Sequence, residues 1–276
     1  MLLNPRSLRV LITLALLQAS IAYGKDSLFT TISAYPIGEN QRQIGVHGEY
    51  FRSKNLAGLS LDENLYIFPT VTATIGLGKN GEIWIQHEAF RSIDDNQQDI
   101  HITDGGDPSF FTKLRLAKEH ATRPEISVIY GVKEPATNVP LGSDEADFFL
   151  FLAHSKTFDH SSLHFNFGIG ILGNKNKSQN QDHTISYGLH GKQALGNHYQ
   201  LGYEITGQYK VSGAWYEFWA PTSAPINRAS LGLGAYYAID KNNRLGIKLS
   251  TGLINESESF GLLIGFDRRF GVSEED

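Results

Sequence analysis

The sequence predicts an all-β protein, built as a single antiparallel up-and-down transmembrane β-barrel. Three observations lead to this prediction. Apolar and polar residues alternate in segments of about ten residues, the connections between these segments alternate between long and short, and the last segment carries alternate aromatic residues. The composition agrees, since the 276 residues include 28 Gly, 16 Phe and 12 Tyr. A mean hydropathy of −0.25 excludes a helical membrane protein, which needs several apolar runs of about 20 residues.

Composition and charge exclude other classes of protein. The chain has no Cys, which excludes a disulfide-stabilised scaffold and a lipid anchor on cysteine. A formal net charge of −5 leaves no basic surplus for neutralising phosphates, so we expect no nucleic-acid partner. A hydrophobic fraction of 41% is enough to bury a sizeable surface, which argues against disorder.

Residues 1–24 are predicted to be a secretory signal peptide that is cut after residue 22 or 24. Arg6 and Arg9 form the positively charged n-region, and an apolar stretch follows over residues 10–17. That stretch is too short for the alternative, a membrane anchor. Loss of the two arginines takes the charge from −5 to −7. Residues 25–276 would then form the barrel, in the outer membrane of a Gram-negative bacterium.

Twelve strands are predicted from the period-two pattern. The clearest is 161–172, where Leu163, Phe165 and Phe167 share one face and His164 and Asn166 share the other. The segment around 146–156 is less regular, since it is apolar on both faces. A total of ten or fourteen strands stays open, because residues 28–34 would either add a strand or lie inside the barrel. In chain order, the predicted strands are 42–52, 65–78, 81–91, 108–118, 124–132, 146–156, 161–172, 183–194, 198–211, 228–239, 244–253 and 259–270.

The connections between these strands give an independent signal. Asn80-Gly81 is a strong tight-hairpin dipeptide. The short connections are 79–80, 119–123, 157–160, 195–197 and 240–243, and the long ones are 53–64, 92–107, 133–145, 173–182 and 212–227. The connection over residues 254–258 is the one exception, because it is short where the alternation predicts a long connection. Such alternation is typical of outer-membrane barrels, which have short periplasmic turns and longer extracellular loops.

The polar face of the strands is predicted to line the lumen, because it is rich in Gly, Ser, Thr, His and Gln rather than in the Lys and Glu of a solvated face. Two interpretations remain open: rings of charge along a permeation path, or a salt-bridged plug that fills the barrel. Eight strands leave no channel and sixteen do, so twelve lie between these outcomes. The charged or titratable lumen candidates are His47, Glu49, Glu82, Glu88, Lys113, Arg115, His164, Lys192, Glu204, Lys210, Lys248, Asp267 and Arg269.

Two aromatic groups are singled out. Phe266 and Phe270 resemble the C-terminal signal by which outer-membrane proteins are recognised for insertion. In that signal the aromatic residue is usually the last of the chain, whereas here residues 271–276 follow it. Trp215, Tyr216, Phe218 and Trp219 form a loop aromatic patch, interpreted either as a gate or docking site for an aromatic or lipid-like solute, or as part of the interfacial girdle.

No catalytic, cofactor or metal site is predicted. His154-Ser155 and His160-Ser161 have the residue types of a hydrolase, but neighbours in a strand point to opposite faces. Acidic residues cluster in the loops at 94–107 and 144–145 without the spacing of a calcium loop, and the histidines show no zinc spacing.

Short motifs resemble the phenol-degradation meta-pathway family of outer-membrane β-barrels. They are Gly131-Val132-Lys133-Glu134-Pro135, Leu141-Gly142-Ser143-Asp144, Asp147-Phe148, Ser155-Lys156 and Leu163-His164-Phe165-Asn166-Phe167-Gly168. The resemblance covers about residues 65–270. It implies a channel or transporter for small solutes, with aromatic or hydrophobic compounds as candidates. Expected partners are outer-membrane lipids, the outer-membrane assembly machinery and an unidentified small solute. A structural or adhesive barrel and an outer-membrane lipid-acting hydrolase are the alternatives.

Overall fold

The computed structural model describes residues 26–53, 63–95, 97, 99–137, 145–173, 182–211, 227–255 and 257–271. The predicted signal peptide and the loop aromatic patch lie outside these residues. The described residues contain no helix with the length and hydropathy of a membrane span.

The described residues form fourteen β-strands. They are β1 (Arg42–Arg52), β2 (Glu63–Leu77), β3 (Gly81–Glu88), β4 (Arg91–Asp95), β5 (Ile100–Asp104), β6 (Ser109–Ala117), β7 (Glu125–Lys133), β8 (Asp147–Phe158), β9 (Ser161–Leu172), β10 (Asp182–Leu195), β11 (Tyr199–Val211), β12 (Arg228–Ala238), β13 (Asn243–Gly252) and β14 (Phe260–Phe270).

Twelve of these strands close into one barrel. β1 pairs antiparallel with β14, from Arg42 opposite Phe270 to Arg52 opposite Phe260, and its other edge pairs with β2. The remaining strands follow in sequence around the wall, except that β3 pairs directly with β6. The predicted twelve-stranded up-and-down barrel is therefore confirmed. Closure leaves no strand edge exposed along the wall, which is what a spanning sheet requires.

β4 and β5 form a short hairpin that extends the wall at one end. β4 pairs with residues 63–67 of β2, above the point where β3 ends. Its Ile93 side chain is almost fully buried. The long connection predicted over 92–107 includes most of this hairpin, which the sequence did not reveal because five alternating residues are too few to distinguish a strand from a loop. The two ends of the barrel are called below the long-loop end, which carries this hairpin, and the short-turn end.

The outer surface of the barrel is a band of exposed apolar side chains. In β9, Leu163, Phe165, Phe167 and Ile169 are 39–49% exposed, whereas the alternate residues are buried. Aromatic rings meet near both ends of the band: Tyr199 lies 5.3 Å from Tyr237 at the short-turn end, and Tyr50 lies 5.0 Å from Tyr66 at the other, as measured between ring centroids. An apolar band between two aromatic girdles is the surface that a lipid bilayer stabilises.

This band gives a first testable prediction. Leu152 is 40% exposed, lies near the middle of β8, and neighbours Val128 and Phe167 on the outer face. We expect Leu152→Arg to lower the free energy of unfolding from lipid bilayers by about 2–4 kcal/mol, since a charge there enters the hydrocarbon layer. Urea titration in vesicles measures the change. Asp159→Arg, on the exposed turn of the same hairpin, is the matched control and should have little effect.

Candidate functional site: a lumen occupied by the N-terminal segment

Residues 26–37, here called the lumenal segment, lie inside the barrel. The segment forms no strand, yet Leu28, Phe29 and Ala34 are at most 1% exposed. Leu28 and Phe29 pack with inward-facing wall residues such as Phe51 and Tyr236, and Ala34 packs with a second apolar cluster. Of the two sequence interpretations of 28–34, the structure shows a segment inside the barrel rather than an additional strand.

Side chains of the wall, rather than a neighbouring strand, bind the backbone of the lumenal segment. The Thr31 N–H donates to Glu204 at 2.6 Å, and the Ala34 N–H donates to the Ser155 hydroxyl at 2.8 Å. Asn166 is paired twice with Ile32, accepting its N–H at 2.5 Å and donating to its carbonyl at 2.7 Å. Buried backbone groups need such partners, because an unpaired one costs about 1–3 kcal/mol.

Glycines in the wall allow the lumenal segment to approach closely. A Cβ added at Gly188 would lie 2.4 Å from the Thr31 hydroxyl oxygen, and one at Gly202 would lie 2.4 Å from the Phe29 ring. Both contacts are shorter than any real Cβ tolerates. The glycine-rich inner face of the barrel therefore has a packing function, because it makes room for the segment.

At its first described residue the lumenal segment is anchored by charge. The Asp26 carboxylate accepts from Lys192 Nζ at 2.9 Å and from the Tyr236 hydroxyl, and Arg244 lies 3.6 Å away. Burial alone would raise the pKa of Asp26, but the charges of Lys192 and Arg244 outweigh it and hold the pKa well below its usual range. Asp26 is therefore a buried anchor that Lys192 and Arg244 hold by charge.

The opposite end of the segment rests on a second buried pair. Lys113 and Glu82, both fully buried, are 2.8 Å apart. Glu82 also accepts the Ile37 N–H at 2.6 Å, and Lys113 donates to the Tyr35 carbonyl at 3.1 Å. The Tyr35 hydroxyl bonds Glu119, and burial together with this carboxylate raises the pKa of Tyr35 above its usual value. Both members of the ion pair thus belong to the wall, and each also binds a backbone group of the segment.

The lumenal segment separates two cavities. The cavity towards the long-loop end has a volume of about 420 Å³, and the one towards the short-turn end has a volume of about 340 Å³. Thr30 faces the first cavity, and Ser33 and Tyr35 face the second. Different residues of one short segment therefore border the two cavities.

One wall of the lumen is aromatic. Trp84 stacks on Phe111 with ring centroids 4.9 Å apart, and Phe111, Phe149 and Phe151 continue the row at spacings of 6.3 Å. Phe149 and Phe151 line the long-loop cavity. The remaining lining is largely polar and includes His47, Glu49, Glu204, Lys248 and Glu258. The sequence predicted a polar interior and did not reveal this row, because Phe149 and Phe151 lie on a strand that is apolar on both faces, while Trp84 and Phe111 are single rings on β3 and β6.

The predicted lumen residues occupy local pairs rather than rings. His47 contacts Glu49 at 2.9 Å, Glu204 contacts Lys248 at 2.6 Å, and Arg115 contacts Glu125. Glu88 pairs with Arg91 at 3.3 Å near the long-loop rim. Nine of the candidates are buried, namely His47, Glu82, Lys113, His164, Lys192, Glu204, Lys248, Asp267 and Arg269, and four are half-buried, namely Glu49, Glu88, Arg115 and Lys210. Phe266 and Phe270 lie on β14, and Phe270 is exposed at its end.

Sequence reasoning missed the residues that hold the lumenal segment. Asp26 had no visible partner, because Lys192 and Arg244 are more than 150 positions away in the chain. Arg244 was identified on a polar face but not as part of a site. Its Nε and a terminal nitrogen both lie 2.8 Å from Asp267, which also accepts from Ser27 at 2.9 Å. The available signal was the polar character of residues 26–33 directly after the predicted cleavage site.

A serine and a histidine do meet across two strands. Ser155 Oγ lies 2.8 Å from His164 Nδ1. The two residues are not neighbours in the sequence, so the His-Ser dipeptides of the chain do not indicate this pair. Both side chains are buried, the serine hydroxyl also accepts the Ala34 N–H, and the other histidine nitrogen contacts Ser162 at 3.0 Å. A hydrolase needs a nucleophile open to substrate and a group that orients its histidine. Here the pair supports the lumenal segment.

The acidic loop residues form ion pairs and turns. Asp147 and Asp107 contact Lys133 at 2.5 and 3.5 Å, and Asp107 also accepts backbone N–H groups at 136 and 137. Within the described ranges, no group of three or more His, Asp or Glu side chains is arranged to hold a metal ion.

A closed twelve-stranded barrel with an apolar outer band and a filled polar lumen has the fold of Gram-negative outer-membrane β-barrel proteins. Among solved structures, the chain is similar to the COG4313 outer membrane channel from Pseudomonas putida F1, with a TM-score of 0.61 and 13% identity over 90% of this chain and 100% of that chain. It is also similar to the NanC porin, with a TM-score of 0.55 and 8% identity over 82% of this chain and 98% of that one. No protein-family model and no curated protein matches the chain.

Proposed function

We propose that the protein is an outer-membrane channel for small solutes, held closed by the lumenal segment. One observation carries this proposal: two cavities, of about 420 and 340 Å³, lie towards opposite ends of a barrel whose lumenal segment contacts the wall only through non-covalent interactions. A barrel with a purely structural role needs no such arrangement, since side chains alone suffice to fill a narrow lumen.

The manner of attachment supports displacement of the segment. Its hydrogen bonds to the wall run through side chains such as Glu204 and Ser155, so none of them belongs to the strand ladder. The segment can leave without opening a strand pair of the barrel. Water that enters the lumen can then solvate the polar groups that the segment had paired.

The aromatic row supports small aromatic or hydrophobic solutes. Phe149 and Phe151 present their rings to the long-loop cavity, opposite polar side chains that include Glu204 and Lys248. Aromatic rings attract planar apolar solutes, and polar groups opposite fix their orientation. The resemblance to the phenol-degradation meta-pathway family favours the same solute class.

Location and partners follow from the same proposal. The predicted signal peptide directs export, the apolar band contacts outer-membrane lipids, and Phe266 and Phe270 on β14 are the residues offered to the assembly machinery. The long-loop end then faces the exterior and the short-turn end the periplasm, as is usual for such barrels.

Planar-bilayer recording and liposome swelling test the channel. We expect the inserted protein to pass ions and to take up a small aromatic solute such as phenol. A barrel that inserts, yet neither conducts nor takes up solute even when the lumenal segment is removed, would instead be structural.

A variant pair on one strand tests the solute class. Each ring contact contributes about 0.5–1.5 kcal/mol, so Phe149→Ala/Phe151→Ala should lower phenol uptake about tenfold at low concentration. Phe148→Ala/Leu150→Ala removes outward-facing side chains of the same strand and is the matched control. Equal uptake by both double variants would contradict the assignment of the aromatic wall.

A further inference from the structure

The groups that hold Asp26 have the composition of a carboxylate receptor. Lys192, Tyr236 and Arg244 come from β10, β12 and β13, and each contacts the carboxylate of a residue that belongs to the lumenal segment, not to the wall. An ammonium, a phenol hydroxyl and a guanidinium are strong donors to a carboxylate. The receptor is thus contributed by the wall, and only its occupant comes from the lumenal segment.

Contacts within the wall hold two of the receptor groups in place. Asp267 on β14 holds Arg244 through two nitrogens, each at 2.8 Å. The Arg244 guanidinium also lies over the Tyr236 ring, 4.1 Å from its centroid. Contacts within the wall therefore fix two of the three donors, so the site is preorganised for any carboxylate that reaches it.

The receptor opens onto a cavity of suitable size and character. Lys192, Tyr236 and Arg244 all line the 340 Å³ cavity at the short-turn end. Tyr236 contributes its ring as well as its hydroxyl to this lining, so the cavity combines cationic donors with aromatic surface. This volume falls in the range of about 300–1,000 Å³ of small-molecule sites. The occupant that fits is a carboxylate with an apolar or aromatic body.

We propose that Lys192, Tyr236 and Arg244 form a binding site for solute carboxylates, which Asp26 occupies in the closed protein. A solute carboxylate competes with Asp26 for these donors, and its binding favours the state in which the lumenal segment has left. A ligand that binds only the displaced state shifts the population towards it. This inference rests on the proposed function, since it assigns the class of solute that the channel admits.

Calorimetric titration of the refolded protein with benzoate tests the site directly. Asp26→Asn keeps the size of the side chain and removes the competing charge, so we expect it to bind benzoate about tenfold more tightly than the wild type, within the range of a typical coupling. Adding Lys192→Met to Asp26→Asn should abolish the gain. Benzyl alcohol, which lacks the carboxylate, corrects for partition into detergent and should not distinguish the variants.

Further variants keep the test decisive. Asp240→Asn removes an exposed turn carboxylate and should bind benzoate as the wild type does. If Asp26→Asn does not fold, Asp26→Ser replaces it in the same titration. Benzoate affinity that is equal in wild type and Asp26 variants, or unchanged by Lys192→Met, overturns the site.

Solute flux separates this inference from the proposed channel. We expect benzoate to raise phenol uptake by the wild type about fivefold or more. Tighter benzoate binding by Asp26→Asn without conductance under any condition would keep the site and contradict the channel. Conductance without tighter binding would keep the channel and contradict the site.

Discussion

A disulfide between the lumenal segment and the wall is expected to lock the channel closed. A Cβ at Gly188 would lie 3.2 Å from the Cβ of Thr31, and its three nearest atoms all belong to Thr31. Disulfides span Cβ separations of about 3.5–4.5 Å, so a small shift of the segment is enough for Thr31→Cys/Gly188→Cys to form one. We expect oxidation to reduce solute uptake at least about tenfold, since the displaced state becomes inaccessible.

The chain has no native cysteine, so the locked variant contains its own control. Reductant should restore uptake in the same preparation, whereas Thr31→Cys alone should respond to neither oxidant nor reductant. Undiminished uptake by protein shown by mass spectrometry to be fully cross-linked would contradict the proposal that displacement of the segment opens the channel.

Loss of Lys113 is expected to cause the largest change in stability. Its pair with Glu82 is completely buried, and removal of one partner of such a pair costs about 3–5 kcal/mol, because the remaining charge stays desolvated. We therefore expect Lys113→Met to lower the free energy of unfolding by about this amount. The measurement is urea unfolding in vesicles, followed by heat-modifiable migration on gels.

Two further variants define the cause. Adding Glu82→Gln to Lys113→Met removes the orphaned charge while an amide oxygen can still accept the Ile37 N–H, so most of the stability should return. Glu88→Gln breaks a half-exposed pair with Arg91 and should cost at most about 1 kcal/mol. A Lys113→Met barrel as stable as the Glu88→Gln barrel would contradict this account of the buried pair.

The buried charges are also compatible with the reversible closure that we propose. Lys113 loses a carbonyl partner and Glu204 loses an N–H partner when the segment leaves, but each keeps its ion-pair partner in the wall, Glu82 and Lys248. Lys192 and Tyr236 instead lose the carboxylate of Asp26. The segment is therefore held most specifically at Asp26, and this is where a competing ligand has the greatest effect.

The fold was predictable because alternation repeats in every strand. Over residues 163–171 of β9, each outward residue is Leu, Phe or Ile and each inward residue is small or polar, so one strand already reveals two environments. The β4–β5 hairpin was not predictable, because only five residues on each side carry the pattern. The inward rings of Phe149 and Phe151 were hidden for another reason: β8 is apolar on both faces, so its pattern does not identify the lumen.

The site was predictable only in part. Alternation identified residues such as Glu82, Lys113 and Glu204 as lumen candidates, and the structure places all three side chains in buried pairs. Alternation could not reveal the contact between Asp26 and Lys192. Asp26 lies in a segment without strand pairing, so its contact with a distant strand produces no periodic pattern in the sequence.

The sequence by itself determined the barrel, a preferred number of twelve strands and the apolar band, because these depend on local alternation and on the lengths of the connections. Only the tertiary structure decided that residues 26–37 fill the lumen, that aromatic rings line one wall, and that Asp26 occupies a site built by three strands. These features depend on contacts between residues far apart in the chain, and closure of the barrel is what brings them together.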